Sequence, residues 1–586
     1  MSRDRAATVL AAAALVFLSL ELVRDHARDD SLSADEPVHI LSGWLEVSGR
    51  NAIVNIEHPP LAKILAGLSL RSLALPPPPP VIPMGTRFTD FGHEFLFENR
   101  VSPDAIAAAA RAPFRGVLAA LLLLLFAAAW SRYGPAAALV ALLLVALDPN
   151  FVAHAGVVHT DVGASLGFLA AVLSWEAARR RPTLLRLALA ALALGLALAT
   201  KFSAILLPPI LLLQSLLASR RDPRPGRAAT RAVLRLAAVV MGALVVVLAV
   251  YAPLSARMSP DHQRAVIHEM VAGRGAPRLS AAIESLVPVS RPLAHYLGGL
   301  ASVLRQSAVG GGVNYLFGKS SVHGFPFYFF AAFALKSSIA FLAVTAVTLV
   351  SFLRRPAGLA EEARLFLLPP AILFLSSIGS AYNIGIRHML PVYPFLALAA
   401  AAVFVRAAAA RGRATRGGPA PAALALLALP LVAGYELLRI HPHELSYFNA
   451  FVGGPENGRK LLSDSNVDWG LDLKRLAREL ERRRAPKPTI VYFGGDDVLY
   501  RTGVPDFAAD PIPRPGLVAI SAFHLAVGPE FHDYHGAHDL AAALRRLNGE
   551  LASRGRPVGR VGYSIYLFEL PVAASRPEPG DNRHPP

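Results

Sequence analysis

Ala6-Ala-Thr-Val-Leu-Ala-Ala-Ala-Ala-Leu-Val-Phe-Leu-Ser-Leu-Glu-Leu-Val23, then Arg24-Asp-His-Ala-Arg-Asp-Asp30, then Ser31-Leu-Ser-Ala-Asp35-Glu36-Pro-Val-His39 is the stretch that decides the fold. Its first part has the length and apolarity of a membrane-spanning helix. Its last part sets two carboxylates just beyond the point where that helix leaves lipid. Ionisable groups gathered at such a boundary are costly and mark function. A second acid–imidazole pair and a lysine follow in Asn55-Ile-Glu57-His58-Pro59-Pro60-Leu-Ala-Lys63.

Outward from this stretch the apolar runs recur, at 117–130, 136–147, 184–199, 233–251, 327–352, 391–405 and 420–438. The 586 residues are 54% hydrophobic and 17% charged, with mean hydropathy +0.44. A soluble chain of this length carries more charge. The expected fold class is a mostly α, polytopic membrane protein. About 11 transmembrane helices are expected, near 7–23, 113–131, 135–153, 162–178, 184–199, 202–218, 231–251, 327–353, 363–381, 389–405 and 420–438. The formal charge of +17 invites a nucleic-acid reading, but its distribution argues against one. Arg132, Arg179–Arg181, Arg220–Arg235, Arg354–Arg355 and Arg406–Arg416 recur after alternate crossings, which is the positive-inside pattern. That pattern predicts a multi-pass inner (plasma) membrane protein with a cytoplasmic N-terminus and an extracytoplasmic C-terminal domain. Met1–Val23 is expected to act as an uncleaved signal anchor, since no Ala-x-Ala site follows it. The absence of cysteine excludes thiolate catalysis, disulfides and Cys-based zinc sites.

The expected domains are a membrane domain over 1–439, a small extracytoplasmic α/β domain over 440–573 and a disordered tail over 574–586. The first long outer loop covers 24–112, with surface-lying helices near 40–50 and 60–75 and a proline spacer at Pro76–Pro80; a second covers 254–325. In the C-terminal part, Thr489–Phe493, Gly516–Ser521 and Tyr563–Phe568 read as strands, and Asp472–Arg484 and His538–Ser553 as amphipathic helices. Trp469, Leu473, Leu476 and Leu480 recur at helical spacing and predict one buried stripe.

For Asp35-Glu36 two readings stand: helix caps before Val38–Val47, or general-base carboxylates at the membrane boundary. Glu57 and His58 sit on a corner stiffened by two prolines and could orient substrate or bind a divalent metal, though two adjacent ligands are an incomplete set. Lys63 is either a phosphate contact or a snorkelling lysine. His154-x4-His159-x-Asp161 falls at the outer end of a crossing, as do Lys201, Lys336, Arg387 and His388. Asp464-Ser-Asn-Val-Asp468-Trp-Gly470 approaches a calcium loop but misplaces the glycine and has Arg475 at position twelve, so it reads as a turn and helix cap. No P-loop, dinucleotide turn or nucleophile elbow is present in the sequence.

Taken together, Asp35-Glu36, Glu57-His-Pro-Pro-Leu-Ala-Lys63, Pro149-Asn-Phe-Val-Ala-His154, Gly195-Leu-Ala-Leu-Ala-Thr-Lys201, Gly385-Ile-Arg387-His388-Met-Leu-Pro391 and Tyr447–Asn457 through Gly470 resemble the GT-C membrane glycosyltransferases. The resemblance is to glycosyltransferase family 39, the protein O-mannosyltransferase and aminoarabinose-transferase group, and to bacterial phospholipid-carrier-dependent glycosyltransferases. It implies transfer of a mannose-like hexose from a polyprenyl-phosphate donor to a hydroxyl of a protein, lipid or glycan acceptor on the extracytoplasmic face, with inversion. It implies Asp35 as general base with Glu36 beside it, and Lys63, Lys201 and Arg387 on the donor phosphate. Glu57, His58, His159, Asp161 and His388 would bind or orient substrate, and a divalent metal, if present, would sit on Glu57 and His58. Membrane lipids are partners and nucleic acid is not. His58 stands where the aminoarabinose transferases carry lysine, and the C-terminal part does not read as a β-trefoil. The competing classes are a lipid-linked-sugar flippase, which would place charges near the bilayer midplane, and a non-catalytic scaffold.

Overall fold

The computed structural model describes residues 3–49, 54–77, 88–411 and 421–571. The expected tail at 574–586 and most of the Pro76–Pro80 spacer lie outside the described residues.

The protein is a mostly helical membrane protein with a small sheet near its C-terminus. Arg3–Asp29, Pro103–Tyr133, Phe202–Ser219, Pro225–Ala256 and Val392–Ala409 are each long and apolar enough to span a bilayer. Two further spans count only if broken pairs are joined: Pro135–Ala146 with Pro149–Ala155, bent by 61°, and Tyr328–Lys336 with Ile339–Arg354, bent by 119°. Five to seven spans therefore meet the criterion among the described residues, where about eleven were expected. The shortfall has local causes. Helix Asp161–Arg180 carries Glu176, Arg179 and Arg180 in its last turns. Leu184–Leu198 and Leu368–Ser377 are short, at 15 and 10 residues. The expected single crossing at 327–353 is instead a sharp corner at Ser337-Ser338, where Ser338 caps the second helix through Phe341 N.

Helices Glu36–Ser48 and Leu61–Leu70 pack face to face, and Leu61–Leu70 also packs on Pro103–Tyr133. Gly43 and Gly67 lie against each other's helix so closely that a Cβ on either would strike backbone. This contact fixes the Asp35 and Glu57-His58 loops relative to one another. The segment expected as the second outer loop holds helices Pro260–Ile267, Pro277–Glu284 and Arg291–Val309, and a hairpin, Asn314–Leu316 with Lys319–Ser321, that the sequence pattern did not reveal.

The C-terminal sheet has the spatial order Thr489–Val491, Gly516–Ser521, Ile565–Leu570, Arg556–Val561, with the first pair parallel and the others antiparallel. Arg556–Val561 was not expected; Pro557, Gly559 and the bulge between them hide the strand pattern. Leu473, Leu476 and Leu480 pack on this sheet as expected. Trp469 does not join them. It turns the other way and packs with Ala153, Val157, Leu445 and Leu471 against the membrane helices.

That turn ties the sheet region to the Asp35 loop. Ser31 N donates to Leu471 O at 2.9 Å, Ala34 N to Trp469 O at 3.0 Å, Lys474 N to Ser31 Oγ at 2.7 Å and Gly495 N to Leu32 O at 3.3 Å. At Gly495 a Cβ would overlap Ser33 O and crowd the Pro37 ring, so only glycine permits this approach.

Candidate active site

Asp35 and Glu36 are adjacent in sequence and opposite in fate. Asp35 occupies the N-cap of helix Glu36–Ser48 but makes no side-chain cap bond, so the capping role is not the one it plays. Its side chain keeps 35% exposure and accepts from Arg387 Nη1 at 3.1 Å. Burial pushes its carboxyl up, but Arg387 and His159 outweigh burial and hold it well below the usual carboxylate range. Glu36 is sealed. It accepts from Arg111 Nε and Nη2 at 2.7 Å each, from Ser33 N at 2.8 Å and from Val158 N at 3.0 Å. All its acceptor sites are filled, so the structure gives Glu36 a loop-fixing part in place of the expected catalytic one.

Around Asp35 the structure gathers five of the expected residues. His159 Nε2 accepts from Arg387 Nη1 at 2.8 Å and lies 3.4 Å from Asp35 Oδ2. His159 Nδ1 approaches Asp161 Oδ2 at 2.7 Å, and Asp161 is also ion-paired with Lys201. Asp161 opens helix Asp161–Arg180 and Lys201 follows the end of Leu184–Leu198, so two helix ends present this pair. His58 joins through its ring, 5.3 Å from that of His159. Arg387 is seated on the Trp469 indole, its guanidinium carbon 4.4 Å from the ring centroid. Its Nε is buried without a partner among the described residues.

Two expected residues, Lys63 and Glu57, are turned to other partners. Lys63 pairs with Glu46 at 3.1 Å and donates to Asn55 O at 3.1 Å and Val54 O at 3.4 Å, so its ammonium locks the 54–58 loop and is not free for a phosphate. Glu57 turns to an ion pair with Arg274, which also holds Ser302. It is not part of the imidazole group and so does not complete a metal set with His58. His388 lies at the edge of the site between the rings of Phe329 and Tyr382 at 5.9 and 6.5 Å, where burial, then Lys201 and Arg387, push it well below the ordinary histidine range. Lys336, also expected at the outer surface, is buried and donates to Leu445 O and Asn466 O at 2.6 Å each. The Asp464–Gly470 segment is a turn, as read from the sequence: Asp464–Asn466 forms a single 3-10 turn and Asp468 accepts from Phe523 N and Gly470 N.

Two residues missed from the sequence belong here. His39 lies one turn after Asp35, with its ring centroid 4.7 Å from that of His58 and 5.0 Å from that of His159. Burial and then the neighbouring imidazoles push His39 and His58 well below the ordinary histidine range, so both are neutral. Trp469 was hidden by helical spacing to Leu473. The only signal for it was its position inside Asp468-Trp-Gly470, a motif that already carried the resemblance.

Residues 52–219 match the family model described as dolichyl-phosphate-mannose-protein mannosyltransferase. This match bears out the resemblance to GT-C membrane glycosyltransferases read from the sequence. A search of curated protein sequences returned no match. Among solved structures, ArnT from Cupriavidus metallidurans bound to undecaprenyl phosphate aligns at 13% identity over 98% of this chain and 99% of that one, with TM-score 0.33. The Archaeoglobus fulgidus oligosaccharyltransferase in the apo form aligns at 13% identity over 90% of this chain and 72% of that one, with TM-score 0.48. AglB from Archaeoglobus fulgidus, in complex with an inhibitory peptide and a dolichol-phosphate, aligns at 13% identity over 73% and 56%, with TM-score 0.39.

Proposed function

We propose that this protein transfers a hexose from a polyprenyl-phosphate donor to an acceptor hydroxyl, with Asp35 as general base. The observation that carries this is the placement of Asp35: a half-open carboxylate, free of any capping bond, touching Arg387 and facing Asp161–Lys201. Asp35 takes the proton of the acceptor hydroxyl as its oxygen attacks the anomeric carbon. The bond from that carbon to the phosphate oxygen breaks, and the polyprenyl phosphate leaves with the electron pair, so the anomeric centre inverts. Fixed cations stabilise the departing phosphate better than water does, because they need no reorganisation. Arg387 and Lys201 are those cations.

Arg387 also couples the two substrates. While it is paired with Asp35, that carboxylate is a weak base. A donor phosphate that competes for the guanidinium raises the proton affinity of Asp35 once the donor is bound. His159 and Asp161 hold the arrangement from the opposite side.

We further propose that the site faces outward. Helix Asp161–Arg180 begins at the site and ends in Arg179 and Arg180, and Pro103–Tyr133 begins near it and ends at Arg132. Basic ends mark the cytoplasmic side, which leaves the site on the extracytoplasmic face of the cell membrane. Residues 440–573 then act as an outer unit that walls the site through Trp469. The test is reconstitution of the purified protein in liposomes with a radiolabelled polyprenyl-phosphate hexose and envelope acceptors. Transfer of label with release of polyprenyl phosphate supports the reading. Label that crosses the bilayer still attached to lipid supports a flippase instead.

A further inference from the structure

His39, His58 and His159 come from three separate segments: the first turn of helix Glu36–Ser48, the corner before Pro59-Pro60, and the residue two before helix Asp161–Arg180. Their rings meet edge to face, with interplanar angles of 68°, 76° and 76°. One ring nitrogen from each lies within 4.8 Å of the other two. His39 is 1% exposed, and neither of its ring nitrogens has a hydrogen-bond partner among the described residues. Buried polar groups are paired in nearly all native structures, so a doubly unpartnered imidazole aimed at two others indicates a missing ligand.

His159 supplies the second observation. Its Nδ1 faces the Asp161 carboxylate at 2.7 Å, and Lys201 holds the other oxygen of that carboxylate. Arg387 can only donate, so its contact to His159 Nε2 puts the lone pair on that nitrogen and the proton on Nδ1, and a carboxylate beside the protonated nitrogen is the usual outer partner of a metal-binding histidine. His159 Nε2 accepts from Arg387 Nη1 at 2.8 Å. An ion that takes this lone pair leaves Arg387 with Asp35 as its partner. The charges around the cluster are Asp35 and Asp161 against Lys63, Lys201 and Arg387. Lys63 is already neutralised by Glu46.

We infer that His39, His58 and His159 form a trihistidine site for a divalent transition-metal ion of the zinc class. Three imidazole ligands suit zinc or cobalt, whereas magnesium and calcium require oxygen ligands. Binding at about 2.0–2.1 Å from each nitrogen draws the three rings closer together. Three protein ligands leave a coordination position open, which is the pattern of a site that meets substrate and not of a closed structural one. The ion also pins the two outer-loop segments to the start of helix Asp161–Arg180, so it orders the mouth of the site. The inference concerns metal occupancy and stands whether or not the chain transfers sugar.

The experiment uses the full-length protein in detergent, stripped with chelator and dialysed against zinc or magnesium. Metal retained per chain is measured by mass spectrometry, with thermal unfolding recorded on the same samples. Expected are one zinc retained per chain, no magnesium retained, and a rise in unfolding temperature with zinc alone. Cobalt in place of zinc should give visible absorption bands. His39→Ala and His58→Ala should each lower zinc affinity by at least about tenfold, and Asp161→Asn by about 10–100-fold without removing a ligand. If those variants do not fold, the cobalt spectrum of the wild-type protein decides, since nitrogen ligation and solvent ligation differ in intensity. Zinc retention unchanged by His39→Ala and His58→Ala, or zinc held no better than magnesium, overturns the site.

Discussion

Asp35 and Arg387 are 352 positions apart in the chain and meet at 3.1 Å, and the Arg387 guanidinium carbon rests 4.4 Å from the centroid of the Trp469 ring. A carboxylate from the loop after Arg3–Asp29, a cation from the segment before Val392–Arg411 and an indole from the C-terminal region thus meet in one cluster. Each member holds the next in place.

Removing the indole should loosen the cluster without removing a charge. Trp469→Ala is expected to reduce kcat by about tenfold or more. The lost cation–π contact alone is worth about 0.5–2 kcal/mol, and misplacement of Arg387 adds to it. Trp469→Phe, which keeps an aromatic face, should recover most of that loss. Steady-state transfer assays on both variants check this; equal kcat in Trp469→Ala and wild type contradicts it.

Glu36 should behave as a structural acid although it adjoins the base. Arg111→Met leaves the sealed Glu36 carboxylate without its partner, and breaking a buried pair in this way costs about 3–5 kcal/mol. Thermal unfolding should report that loss. The residual folded enzyme should retain its donor KM.

Lys63 divides two readings of the same corner. Because its ammonium is held by Glu46 and the Val54 and Asn55 carbonyls, Lys63→Met should lower stability and leave the salt dependence of donor binding unchanged. Arg387→Gln should do the reverse and weaken donor binding. Equilibrium binding of a polyprenyl-phosphate analogue compares the two variants directly.

His441 predicts a pH effect at the junction between the membrane helices and the C-terminal region. It is paired with Glu444 and, at 2.9 Å, with Asp25. The Glu444 hydrogen bond, opposed by partial burial and aided by Asp25, raises it to about 9. A histidine raised on folding stabilises fully below its ordinary value of 6.5 and loses that contribution as pH climbs through about 9. The unfolding temperatures of wild type and His441→Gln should therefore differ most near pH 6 and converge above pH 9, as read by differential scanning fluorimetry.

The sequence exposed this fold where one-dimensional pattern decides it. Apolar run length marked Pro225–Ala256, and alternation with turn residues marked Gly516–Ser521. The helical spacing of Leu473, Leu476 and Leu480 marked a buried face. It failed where a tertiary contact decides. Helical spacing assigned Trp469 to the wrong face because nothing local records Arg387 above it. Lys63 looked like a phosphate ligand because Glu46 lies a helix away. Asp35 and Glu36 are indistinguishable by position, and only Arg111, 75 residues from Glu36, separates them. His39 was overlooked because its neighbours in the cluster come from two other segments.

The central claim is that Asp35 removes the acceptor proton. Asp35→Asn keeps the shape and the contact to Arg387 but cannot take a proton, so single-turnover sugar transfer in reconstituted membranes tests it most directly, with donor binding measured on the same preparation. The account predicts transfer slowed on the order of 10²–10⁴-fold with donor affinity retained. Wild-type transfer by Asp35→Asn would contradict it.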